Sequence, residues 1–141
     1  PGRSSRSSDA MARLLVDTGP IVRQLRGHQP TIRLLRQARG GERLAISAVT
    51  RLEVYAGMYE DERYDTQKLL ARFLTYSVLP DVADLAGELV ARSRTRNLLS
   101  LPDAIIAATA LLAGLPLITY NVAHFALVRG LRLYSLPEDA G

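Results

Sequence analysis

The chain has 141 residues, 48% apolar and 23% charged, which are the proportions of an ordinary globular protein with a single domain. Cysteine is absent, which excludes disulfides and thiolate metal sites and fits a reducing compartment; no apolar run reaches the roughly 18 residues of a membrane span. The formal charge of +4 is carried almost wholly by arginine, whose planar donor fork suits phosphate, so a nucleic-acid partner is permitted but not required.

PGRSSRSSDA (residues 1–10) is low in complexity and precedes Met11. It is expected to be a disordered leader or an artificial extension, with residues 11–141 forming one domain. This polar start also lacks the apolar stretch of a secretory signal.

ARLLVD (12–17) is a short apolar run halted by Asp-Thr-Gly-Pro and reads as a buried strand. GPIVRQLRG turns helical, and QPTIRLLRQARGG repeats the pattern until Gly40-Gly41 stops it. RLAIS (43–47) is a second strand, followed at once by a helix in AVTRLEVYAGM. DERYDTQKLLARFL reads as a helix with a polar start, and YSVLP (76–80) as a third strand closed by Pro80. DVADLAGELVARSRTRN is amphipathic, with Val82, Leu85, Ala86, Leu89 and Val90 on one face. PDAIIAATALLAG is almost entirely apolar and rich in alanine, which predicts a buried, closely packed helix. LPLIT supplies a fourth strand and LRLYSL a candidate fifth. Short strands alternating with helices predict an α/β fold with a mainly parallel sheet and helices on both faces. A retroviral-type aspartic protease shares the Asp-Thr-Gly but is nearly all strand, so this pattern sets it aside.

Ligands of such sheets bind beyond the carboxyl ends of the strands. Asp17 closes the first strand, Glu53 sits on the helix after the second, Asp103 opens the alanine-rich helix, and Thr119 to Asn121 close the fourth strand. Each has a local explanation. Asp17 can cap the helix that follows it, Asp103 completes a capping box from Ser100, Glu53 completes one from Thr50, and Asn121 suits a turn. Capping alone does not require these groups to gather at one edge, and an unpaired carboxylate in the apolar surroundings of Asp103 is costly. Metal-assisted phosphodiester hydrolysis does require such a cluster, because Mg²⁺ takes hard oxygen ligands and keeps several waters. Without a cation the three carboxylates repel, and at least one pKa is expected to rise. Glycoside hydrolysis needs only two carboxylates, and the absence of tryptophan removes the usual sugar platform.

LLVDTGPIV, ISAVTRLEVYAG, LPDAIIAATAL and LITYNVAHF stand in the order and spacing of a PIN domain, and the chain resembles the VapC toxins of toxin–antitoxin pairs from about Leu14 to Leu133. PDAIIAATAL is the most specific segment and DTG the least. The resemblance implies a small α/β/α sandwich and a cytoplasmic endoribonuclease dependent on Mg²⁺ or Mn²⁺, acting on tRNA, ribosomal RNA or mRNA. Carried over by position, Asp17 and Asp103 are direct metal ligands, and Glu53 orients a metal-bound water or holds a second ion. Ser47 and Thr119 become hydroxyls that orient the carboxylates. Many PIN domains have a further acidic residue where this chain has Asn121 and then His124, so a second metal is expected to bind more weakly here.

Arg92, Arg94 and Arg96 are candidate RNA contacts, although arginines near a helix C-terminus are equally explained by its dipole. The resemblance also implies a VapB-like antitoxin and a homodimer. Ile21, Val22, Leu25, Leu52, Tyr55 and Tyr59 are candidates for the antitoxin groove, with core packing as the simpler account of the same residues. Two alternatives remain: a PIN-like module that binds RNA or a partner without cutting, and a phosphatase with Asp17 as nucleophile. The phosphatase requires a second aspartate where Gly19 stands.

Overall fold

The structure, a computed structural model, describes residues 12–93 and 99–136. The leader, Arg94 and Arg96 lie outside the described residues. In chain order the elements are β1 (Ala12–Val16), α1 (Thr18–Leu25), α2 (Gln29–Arg39), β2 (Arg43–Ser47) and α3 (Ala48–Gly57). A 3₁₀ turn (Glu60–Glu62) leads into α4 (Arg63–Leu70), followed by β3 (Leu74–Tyr76), α5 (Pro80–Arg92) and α6 (Leu101–Ala113). The chain then forms β4 (Leu117–Thr119), α7 (Val122–Phe125) and β5 (Leu133–Ser135).

The five strands form one sheet in the order β3-β2-β1-β4-β5, and every pairing is parallel. Parallel strands buried on both faces read as continuous apolar runs whose alternate side chains point to opposite layers. Leu14, Val16, Leu44, Ile46 and Ile118 join one core with Ile21, Leu35, Val54 and Leu70. Leu15, Ala45 and Leu117 point the other way, into a core with Val82, Ala86, Leu89 and the alanines of α6. The expected three-layer α/β/α sandwich is therefore present. Ala104, Ala107 and Ala108 are fully buried, and their small side chains let α6 pack closely between α5 and the sheet. Gly40 and Gly114 end α2 and α6 in left-handed conformations, at φ 55° and 70°, which glycine adopts without a Cβ clash.

Two expected boundaries move. The third strand is Leu74–Tyr76 rather than 76–80, because α4 already ends at Leu70 and the next extended residues pair with Ala45–Ser47 of β2. Val78 and Leu79, which suggested a strand, are instead exposed, and Leu79 precedes the proline-led first turn of α5. All five apolar residues predicted on one face of α5 do pack into the same core.

Candidate active site at the carboxyl edge of the sheet

The connections from β1 to β2 and β2 to β3 run one way across the sheet, while β4 and β5 lie on the other side of β1. The topological switch point therefore falls between the carboxyl ends of β1 and β4, where α/β sheets open a crevice. Asp17 follows β1 and Thr119 ends β4. The Thr119 hydroxyl donates to Asp17 Oδ2 at 2.8 Å across that point. The Thr18 N–H donates to Asp17 Oδ1 at 2.8 Å, so Asp17 also serves as the N-cap of α1. Thr119 is itself fixed, because its hydroxyl accepts the Asn121 N–H at 2.8 Å.

Asp17 is 9% exposed. Burial pushes its carboxyl up from 3.8 to about 6; the Thr119 hydroxyl and the Thr18 N–H oppose the rise, and the Asp103 and Glu53 carboxylates add to it. Asp17 thus feels the charges of Glu53 and Asp103, but burial rather than their repulsion is the main cause of its rise. Each oxygen of Asp17 accepts a single hydrogen bond, which leaves lone pairs available for a cation.

Glu53 is held from a neighbouring helix. Its Oε1 lies 2.6 Å from the Thr18 hydroxyl, which is also 3.0 Å from the hydroxyl of Thr50. A hydroxyl has one proton and an ionised carboxylate only accepts, so Thr18 donates to Glu53 and receives from Thr50. Thr50 is fully buried. The capping box expected between Thr50 and Glu53 is not formed: α3 begins at Ala48, and Ser47 is its N-cap, accepting the Val49 N–H at 3.0 Å. Ser47, expected to orient a carboxylate, bonds to the backbone of its own helix instead.

Asp103 lies in the first turn of α6, whose N-cap is Ser100; the Asp103 N–H donates to the Ser100 hydroxyl at 3.2 Å. Its carboxylate faces His124, with Oδ2 3.4 Å from Nε2. The His124 ring also meets Phe125 edge-on. The Asn121 side chain is exposed and caps nothing, so its contribution here is the backbone N–H on Thr119. Arg92 pairs with Glu88 on its own helix at 3.3 Å. Of the six residues considered for a groove, Ile21 is buried and Val22, Leu25 and Tyr55 pack against the core, while Leu52 and Tyr59 are 64% and 66% exposed.

Sequence reasoning missed Thr18 and Thr50. A signal existed for the second, since residues three apart share a helix face and Thr50 precedes Glu53 by three. It also missed a ledge beside the site, where the Arg23 guanidinium lies 3.9 Å over the Tyr120 ring and the Tyr120 hydroxyl meets that of buried Thr31.

Among the described residues no three acidic or histidine side chains stand close enough together to enclose a metal ion. The oxygen-only donors nevertheless fit a hard cation held by one or two carboxylates and completed by water, the habit of Mg²⁺. A cation would also offset the burial, and the lesser repulsion, that raise Asp17.

A family model described as PIN domain matches residues 14–130. Ribonuclease VapC10 of Mycobacterium tuberculosis is 37% identical over 120 residues, covering 84% of this chain and 90% of the relative. Ribonuclease VapC19 of the same organism is 33% identical over 115 residues, covering 80% and 92%. A toxin–antitoxin complex from Klebsiella pneumoniae contains a chain with 30% identity and a TM-score of 0.73, over 87% of this chain and 99% of that one. DNA-bound VapBC from Salmonella typhimurium shares the fold, with a TM-score of 0.77 at 20% identity over 88% and 98%. The chain belongs to the PIN-domain family, in the group that contains VapC10 and VapC19.

Proposed function

We propose that this protein is a divalent-metal-dependent endoribonuclease and the toxin of a toxin–antitoxin pair, working in the cytoplasm with RNA as substrate. The observation that carries the reading is Asp17: a buried carboxylate at the switch point, raised to about 6 by burial and by two neighbouring carboxylates despite two donors that stabilise its charge. Structural capping gives no reason to gather three carboxylates there. Relatives named ribonucleases, at 37% and 33% identity, support RNA hydrolysis as the use of that charge. The toxin–antitoxin complex at 30% identity supports an antitoxin partner.

Asp17 and Asp103 would hold Mg²⁺ or Mn²⁺, which supplies charge neutralisation at the phosphate and lowers the pKa of water. The remaining work falls to the chain. Thr119 and the Thr18 N–H fix both Asp17 oxygens so that the carboxylate needs no reorganisation when substrate arrives. Glu53, oriented by Thr18, accepts the proton of the attacking water. Asn121 fills the usual place of a further acidic residue without charge, which favours a single tightly held ion. Arg92, Arg94 and Arg96 are proposed to meet RNA phosphates, Arg92 by giving up the exposed Glu88. Leu52 and Tyr59, the exposed members of the apolar set, are the proposed antitoxin contacts, and the toxin is proposed to act as a homodimer.

Cleavage of a labelled RNA pool by the purified protein, with Mg²⁺, Mn²⁺ or EDTA, tests this reading beside an Asp17→Asn variant whose fold is verified by circular dichroism. Cutting is expected with metal only and only by the native chain. A folded, antitoxin-free protein that cuts nothing with either ion would overturn it.

A further inference from the structure

A second site lies away from the carboxylates. Leu44 and Phe73 stand at the amino ends of β2 and β3, the sheet edge opposite Asp17, and with Ile32 of α2 they wall a cavity of about 210 Å³. Arg36, Arg39 and Arg72 border the same cavity. The ion pairs of the described residues engage Arg13, Arg26, Arg63 and Arg92, leaving these three without a carboxylate partner among those residues. Leu35 and Gln24 complete the lining, and the Gln24 Oε1 is shut off from water with no hydrogen-bond partner among the described residues. A buried acceptor left unpaired is costly, and the terminal torsion of glutamine is soft enough to turn that group toward a ligand.

We propose that this cavity binds a nucleotide, with the base between the apolar walls, its polar edge on Gln24, and its phosphate on Arg36, Arg39 and Arg72. The volume is below the range for drug-sized ligands and suits one flat ring system, with the charged part held outside at the rim. A carboxylate side chain would satisfy the arginines but leave the apolar walls unfilled. Arginine forks match phosphate oxygens, and a guanidinium also stacks on a base. The nucleotide is either free or part of an RNA chain, and the site does not depend on cleavage at the opposite edge.

Isothermal titration in EDTA, where metal-dependent hydrolysis is off, separates the cases. The ligands are adenosine monophosphate, inorganic phosphate and a short single-stranded oligoadenylate. Adenosine monophosphate is expected to bind at about 10 μM to 1 mM, and at least about tenfold more tightly than phosphate. Arg36→Ala with Arg72→Ala should weaken it about tenfold or more, while Gln24→Leu weakens the nucleotide and leaves phosphate unchanged. Amide shifts at Leu44 and Phe73 in two-dimensional NMR of the native chain locate the ligand without relying on any variant. Binding of the oligomer alone, with the same shifts and the same losses, assigns the site to RNA. Equal affinity for phosphate and nucleotide, shifts elsewhere, or no saturable binding of either nucleotide ligand would overturn the proposal.

Discussion

The two aspartates at the carboxyl edge are held in opposite ways. Asp17 is buried, with one donor on each oxygen and a threonine relay leading from Thr18 to Glu53 beside it. Asp103 keeps a quarter of its side chain exposed and has His124 at 3.4 Å, a pair that water screens. A buried carboxylate in fixed geometry is pre-organised for a cation but unstable while alone. A partly exposed one follows the ion or substrate and costs the fold little. The difference predicts which substitutions damage catalysis, which stabilise the fold, and which do neither.

The largest effect is on cleavage by Asp17→Ala, expected to fall by at least about a thousandfold in single-turnover assays, since both the proposed anchor of the cation and the centre of the bond network are lost. Next is stability. The folded carboxyl of Asp17 titrates near 6, above its ordinary 3.8, so the folded state binds the proton more tightly than the unfolded chain. Stability from this group is therefore highest below about pH 4 and declines as pH rises through about 6. Asp17→Asn should raise metal-free stability by about 2 kcal/mol at pH 7.5, and the gain should vanish near pH 4. Asp103→Asn should stay within about 0.5 kcal/mol at both. Urea unfolding in EDTA measures all four values. Equal gains from the two variants would erase the distinction between the aspartates.

The order of elements, both apolar layers and the three carboxylates were legible because strands buried on both faces and an alanine-rich helix leave strong local patterns. The position of β3 was not, since pairing with β2 selects Leu74–Tyr76 over the equally apolar residues beyond it. Two of the threonines were hidden for another reason. Thr18 meets Glu53 and Thr50 across 35 and 32 residues, and only the three-residue spacing of Thr50 and Glu53 left a local trace, whereas Thr119 was named through the family resemblance. Ser47 has a local role that its place at a strand end did not announce: its hydroxyl accepts the Val49 N–H in the first turn of α3.

Those threonines sharpen the comparison further. Thr119→Val removes the donor to Asp17 and the acceptor of the Asn121 N–H, with an expected loss of about 10- to 100-fold in metal affinity or cleavage. Thr18→Val should cost a similar factor by freeing Glu53, and Thr18→Ser, which keeps the hydroxyl, should restore most of it.

The smallest effect is expected at His124. Its imidazole touches Asp103 with side chains 29% and 25% exposed, so water can replace whatever the ring supplies. Pairs that water can still reach contribute about 1 kcal/mol, which limits His124→Ala to about tenfold or less in Mn²⁺ affinity by titration calorimetry. The Phe125 ring stays buried beneath it, so the fold should be unaffected. A loss as large as that of Thr119→Val would mean that Asp103 is held as firmly as Asp17. The edge would then be a rigid cage on both sides rather than one fixed wall facing one adaptable arm.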